Sequence, residues 1–215
     1  MKLLFVSLND TFIKEVRKVF PEFSAEVIDI VRVPKEGHIF MSPANSFGFM
    51  DGGIDMALSR KVFPGIEPIV KQNIRELEIY TNLGRPYLPI GSAILIPVPG
   101  GDTPHTGMIS APTMFLPHDV SMTQNAYWSA LATFRVFRKY YGVANGHVHT
   151  LVITSLCCGY GKMDEARSAA QIREAWNDFL ANRVPTDSSP SQKVVLQPLV
   201  NDEQPKNYDN REIHE

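Results

Sequence analysis

The sequence predicts an α/β domain in which a central mixed sheet lies between two layers of helices, a three-layer α/β/α arrangement. Three observations carry this. Strand-like and helix-like segments interleave along residues 1–180, the pattern of a sheet covered by helices. Thr150 to Thr154 is apolar without alternation, as in a strand buried on both faces. Two strand-to-helix junctions, over residues 42–55 and 155–162, carry glycines where ligands collect in open α/β sheets.

The elements follow in order. Leu3 to Ser7 is a short buried strand, and Thr11 to Phe20 a helix with Asp10 as its N-cap. Ala25 to Ile30 and Gly37 to Met41 are the next strands, each closed by polar or turn-forming residues. The segment after Gly53 is helical, with Ile54, Ala57 and Leu58 on one face. Ile66 to Asn82 is a longer amphipathic helix stopped by Gly84 and Pro86. Ser92 to Pro97 and Met108 to Ala111 are strands separated by the turn Pro99-Gly100-Gly101-Asp102. Thr123 to Tyr141 is a helix with Tyr127, Leu131, Phe134 and Phe137 inward. After the Thr150 strand, Met163 to Leu180 is the last helix, its stripe formed by Ala169, Ile172, Trp176, Phe179 and Leu180. Residues 1–183 therefore form one domain. Composition shifts at Val184, so residues 184–215 read as a linker and polar tail, in which Lys193 to Val200 is a candidate edge strand or docked segment.

Bulk properties exclude several functions. With 21 basic and 23 acidic side chains in 215 residues, the net charge is −2, which argues against a phosphate-backbone groove or a polybasic membrane patch. No stretch approaches the ~20 apolar residues of a membrane span. The two cysteines, Cys157 and Cys158, are adjacent and too few for a disulfide framework, so a reducing, cytoplasmic setting is expected. A thiol there beside glycines is a nucleophile in principle. His38, His105, His118, His147, His149 and His214 are scattered, however, and buried or loop-lining cysteines are the stronger reading. The same scatter gives no ligand cluster for a metal, and no cofactor is expected.

The two glycine-bearing loops hold the candidate chemistry. Ser42 to Asp55 leaves the third strand and enters a helix through Gly52-Gly53, where backbone can approach a ligand and free N–H groups favour an anion. Ser155 to Lys162 repeats the device with Gly159 and Gly161, so two loops could grip a diphosphate from both sides. Each feature also has an ordinary explanation: Gly52-Gly53 as a tight turn, Asn45 as a turn residue, Asp55 as a carboxylate favoured by a helix dipole. Spacing alone gives a nucleotide or phosphate site without its identity.

Ser42-Pro43-Ala44-Asn45 followed by Gly52-Gly53-Ile54-Asp55 resembles the macrodomain signature, and the ten-residue step from Asn45 to Asp55 matches that family without a gap. Ile153 to Trp176, with Gly159-Tyr160-Gly161-Lys162-Met163, resembles the second phosphate loop of a divergent bacterial and phage branch. The resemblance implies a pocket for ADP-ribose or an ADP-ribosylated substrate. Asp29 would accept from the adenine amino group beside Ile30. The Gly52, Gly53 and Ile54 backbones, with Gly159, Tyr160 and Gly161, would hold the diphosphate, and Ala44 and Cys158 would line it. Asn45 would bond the ribose distal to adenine, and Asp55 would orient or activate a water there. An Asp in a first helical turn is expected to stay ionised near neutral pH, which suits a base. Tyr160 is placed to pack along the distal ribose, Phe47 and Phe49 to shield the site, and Phe115 to flank the adenine.

The sequence departs from the family pattern at Ser42, which replaces an Asn, and in the thinned glycine run preceded by Phe49-Met50-Asp51. Leu156-Cys157-Cys158 stands where small or hydroxylated residues are usual. The implied activity is hydrolysis of an ADP-ribosyl linkage or a distal-ribose substituent, of the mono-ADP-ribosyl hydrolase or ADP-ribose 1″-phosphate phosphatase type. The alternatives are a reader that binds ADP-ribose without cleaving it, and a module directed at ADP-ribosylated nucleic acid.

Overall fold

The computed structural model describes residues 1–98, 106–141 and 149–182. The turn expected at 99–102 and the linker and tail expected over 184–215 lie outside the described residues. Six strands, β1 (Lys2–Ser7), β2 (Ser24–Val27), β3 (His38–Ser42), β4 (Ile94–Ile96), β5 (Gly107–Ser110) and β6 (Thr150–Ile153), form one sheet in the order β2-β1-β6-β3-β5-β4. All neighbours are parallel except β4 on β5, so the sheet is mixed.

Helices cover both faces. On one side α1 (Asp10–Val19), α4 (Asn125–Tyr141) and α5 (Glu165–Leu180) bury Phe12, Phe20, Phe134 and Trp176 against Phe5, Ile39 and Leu151. On the other, α2 (Gly53–Ala57) runs into a π-helical turn, Leu58–Val62, and with α3 (Ile66–Glu76) buries Leu58, Ile66 and Val70 against Phe40, Met108 and Val152. Each large apolar side chain fully enclosed in these layers contributes ~1.5–3 kcal/mol by leaving water. The crossover between parallel strands requires such helices, so the central strands read as apolar runs.

Several boundaries differ from the sequence expectation for local reasons. Asn9, not Asp10, caps α1: its Oδ1 accepts from the N–H groups of Thr11 at 2.9 Å and Phe12 at 3.3 Å. Asp10 sits inside the first turn and pairs with Lys14. Strand β2 stops at Val27 because Asp29 caps a 3-10 turn, Ile30–Arg32, accepting from Val31 N–H at 3.1 Å. Helix α3 ends at Glu76 rather than Asn82, since Glu78 turns left-handed at φ 56° and Tyr80 bridges to Pro86. Asp164 caps α5, which delays its start to Glu165, and Leu180 is 62% exposed, off the buried stripe.

Candidate functional site

A cavity of about 280 Å³ opens at the carboxyl ends of β1, β2 and β6. Asp29 and Ile30 wall it on the β2 side, Ser155, Cys158 and Gly159 on the β6 side, and Ile54 closes it from α2. Five residues singled out from the sequence thus line one cavity: Asp29, Ile30, Ile54, Cys158 and Gly159. Ser7, Leu8 and Asn9, which carry no motif in the sequence, line the same cavity. Their signal was topological: β1 runs parallel between β2 and β6, so the loop leaving its carboxyl end borders the same cavity. Asn9 also ties this loop to α5, donating from Nδ2 to Glu165 Oε1 at 2.7 Å.

Ala44, Asn45, Gly52, Gly53, Asp55, Tyr160 and Gly161 lie outside the cavity wall. Two of them join the glycine loops, since a Cβ on Gly52 would stand 3.6 Å from the ring of Tyr160, which is 72% exposed. Gly53 adopts φ +51°, a left-handed conformation, with open space where a Cβ would be. Gly161 differs from its neighbours because it faces the interior. A Cβ there would collide with the Cys157 carbonyl oxygen and stand 2.6 Å from Val120 Cγ2. Its own carbonyl accepts from Val120 N–H at 3.0 Å. Gly161→Ala is expected to cost ~2–3 kcal/mol of stability by overpacking, read as a lowered midpoint in urea unfolding.

Asn45 is 8% exposed and its amide is engaged within its own loop. Oδ1 accepts from Phe47 N–H at 3.0 Å and Phe49 N–H at 3.3 Å, and Nδ2 donates to Phe49 O at 3.0 Å. These bonds shape the turn that carries the chain to Gly52. Phe115 does not flank the wall that holds Asp29. Its ring packs on Phe47 at 4.9 Å and on Tyr87 at 5.8 Å, beyond β3, because β5 lies on the far side of β3 from β1 and β2.

Asp55 corrects the electrostatic expectation. Burial pushes its carboxyl up from an ordinary 3.8 to about 7, and the Ser42 hydroxyl, donating to Oδ1 at 2.6 Å, offsets only part of this. Asp51 and Glu67 add like charge and raise it further. Enclosure therefore overrides the helix dipole, and the group is half ionised near neutral pH. The folded chain then holds a proton that the unfolded chain has lost between pH 3.8 and about 7. Stability consequently falls as pH rises through that window and levels off above it. Asp55→Asn cannot ionise, so relative to the natural chain it should gain roughly 2–4 kcal/mol between about pH 4 and about pH 8, measured by urea unfolding at both.

Both thiols move the opposite way from a nucleophile. Burial pushes Cys157 up to about 12 and Cys158 up to about 11, leaving little thiolate at neutral pH. Cys157 is buried in a left-handed conformation at φ 64°, and its carbonyl accepts from Met163 N–H at 3.0 Å. Cys157 packs in the core, and Cys158 lines the cavity. Among the described residues no helix is long and apolar enough to cross a membrane.

A three-layer α/β/α protein with a cavity at the carboxyl ends of three parallel strands is thus defined. No family model matches the sequence, and no curated protein matches it. Among solved structures, it is similar to the macrodomain of Mycobacterium tuberculosis DarG, with 17% identity and a TM-score of 0.52 over 70% of this chain and 87% of that one. It is also similar to Thermosipho africanus DarTG in complex with ADP-ribose, at 15% identity, TM-score 0.47, 75% of this chain and 43% of that one. A mutant macrodomain of Oceanobacillus iheyensis with ADPR aligns at 12% identity, TM-score 0.36, 84% of this chain and 94% of that one. The first gives the fold, and the looser alignments add nothing to it. The chain has the macrodomain fold.

Proposed function

We propose that this protein binds ADP-ribose across the carboxyl ends of β2, β1, β6 and β3 and hydrolyses a bond at the ribose distal to adenine. The observation that carries the reading is the order of features along that edge. A carboxylate, Asp29, stands at the β2 end of the cavity. The two glycine loops come together at Gly52 and Tyr160. A carboxyl titrating at about 7, Asp55, follows them. Adenine then lies against Asp29 and Ile30, with the diphosphate between the backbones of Gly52 to Ile54 and of Gly159, where N–H groups favour anions. Gly161 acts by holding the second loop in shape.

Asp55 is matched to proton transfer near neutral pH. When ionised it takes a proton from a water whose oxygen bonds the anomeric carbon, while the acceptor leaves with the electron pair of the broken bond. Turnover should therefore rise as pH climbs through about 7 and then level. One observation favours the alternative of a reader without turnover: Oδ1 and one of the two Nδ2 hydrogens of Asn45 are engaged within its own loop. Incubating the protein with mono-ADP-ribosylated protein, ADP-ribosylated nucleic acid and ADP-ribose 1″-phosphate separates the two. Release of ADP-ribose from any of them supports the hydrolase, whereas binding with no product from all three leaves the reader.

A further inference from the structure

Three hydroxyl side chains stand side by side beneath Asp55. Ser42 and Ser110 are direct partners in the β3–β5 register. Continuing the β3–β6 register two residues beyond Phe40 and Val152 sets Thr154 beside Ser42. Residues two apart on a strand share a face. Phe40, Met108 and Val152 belong to the core under α2 and α3, so all three hydroxyls point to the side that carries Asp55. Continuing the β1–β6 register in the same way puts Val6 next to Thr154, which bounds the row with an apolar side chain at the cavity wall.

All three are 0% exposed. Ser42 Oγ donates to Asp55 Oδ1. Ser110 Oγ and Thr154 Oγ1 are buried with no hydrogen-bond partner among the described residues. A buried hydroxyl left unsatisfied is destabilising, and alanine or valine would fill the same positions without that cost. Neighbouring strands lie ~4.8 Å apart. Two hydroxyl oxygens at about that spacing are joined by one water making two bonds of ~2.8 Å.

We propose that Ser110 and Thr154 are positioning residues for Asp55, holding ordered water against Ser42 so that the single Ser42 hydroxyl proton is directed at Asp55. A serine hydroxyl has one hydrogen to give and two lone pairs to fill. With water donating to those lone pairs, the hydrogen has only the carboxyl left as acceptor. Without them, the Ser42 hydroxyl turns freely and the Asp55 carboxylate loses its donor for part of the time. The charges that act on Asp55 are the acids Asp51 and Glu67. Arg32 of the packed 3-10 turn, and Arg60 and Lys61 of the π-helical turn, are exposed. The hydroxyl row is thus the polar support the carboxylate has from the sheet.

This deepens the reading of Asp55 as the proton-transfer group, and its test needs no substrate. The Asp55 carboxyl is titrated by carbon NMR in the natural chain, Thr154→Val, Ser110→Ala and the conservative Thr154→Ser, alongside a high-resolution crystal structure. The expected result is a water within hydrogen-bond distance of Thr154 Oγ1 or Ser110 Oγ. The Asp55 midpoint should rise by about 0.5 pH units or more in Thr154→Val and Ser110→Ala, and return in Thr154→Ser. An unchanged midpoint together with raised thermal stability in Thr154→Val and Ser110→Ala would mean dry, idle hydroxyls and overturn the proposal. Should Thr154→Val not fold, Ser110→Ala and Thr154→Ser decide it. Calorimetry with ADP-ribose on the same proteins keeps the functional reading separate: a moved midpoint without ADP-ribose binding removes that reading and leaves the positioning role standing.

Discussion

Asp55→Ala is expected to lower turnover of an ADP-ribosylated substrate by ~10²–10⁴-fold, the usual contribution of a positioned general acid or base. Affinity for free ADP-ribose should change by less than about threefold, because the carboxyl serves the reacting bond rather than the diphosphate. The two parameters separate the roles. A carboxylate that only oriented the ligand would lose affinity and turnover together. Asp55→Asn keeps an acceptor for the Ser42 hydroxyl but cannot take a proton, so it should be as slow as the alanine variant while folding at least as well. Single-turnover release of ADP-ribose, followed beside calorimetry, reads both quantities, and full activity in either variant would remove Asp55 from the chemistry.

Gly53→Glu is expected to abolish ADP-ribose binding, by about 100-fold or more, while the fold survives. The left-handed φ of +51° costs a non-glycine residue ~1–2 kcal/mol, which a protein of ordinary stability tolerates. The space around the missing Cβ is open, so no core contact is lost. The new carboxylate would stand beside the path proposed for the phosphates, and like-charge juxtaposition costs several kcal/mol. Gly53→Asn carries nearly the same backbone strain without the charge, so it should bind more tightly than Gly53→Glu. Equal affinities in the two variants would show that strain, not charge, controls the loop.

The fold was legible because it rests on patterns that survive averaging. Leu151 to Ile153 is apolar on both faces, and Tyr127 with Phe134 on one helix and Ile172 with Trp176 on another recur at helical spacing, so strands and helices could be placed from hydrophobicity. Edges were less legible because single side chains set them. The choice between Asn9 and Asp10 as cap turned on which carbonyl oxygen reached Thr11 and Phe12, and both residue types are good caps. The site was visible as two loops, but not as distances. Gly161 read like its neighbours Gly159 and Gly53, yet only the structure places its missing Cβ against Cys157 and Val120. Asp55 read as ionised because the helix dipole is local and can be inferred from sequence. Its raised pKa comes first from burial, which Ser42 opposes by a hydrogen bond and Asp51 and Glu67 reinforce by like charge, and these groups converge only when strand and helices pack. Ser110 and Thr154 carried no motif at all and gained meaning from strand register.

The proposed ADP-ribose site runs from the cavity between Asp29 and Gly159 past Gly52. Calorimetric titration of free ADP-ribose into the purified protein, with AMP and NAD as controls, tests it most directly. Saturable binding to ADP-ribose well above both controls, lost in Gly53→Glu, is the expected result. No binding to ADP-ribose, or binding no tighter than to AMP, would contradict it and leave a macrodomain fold turned to another ligand.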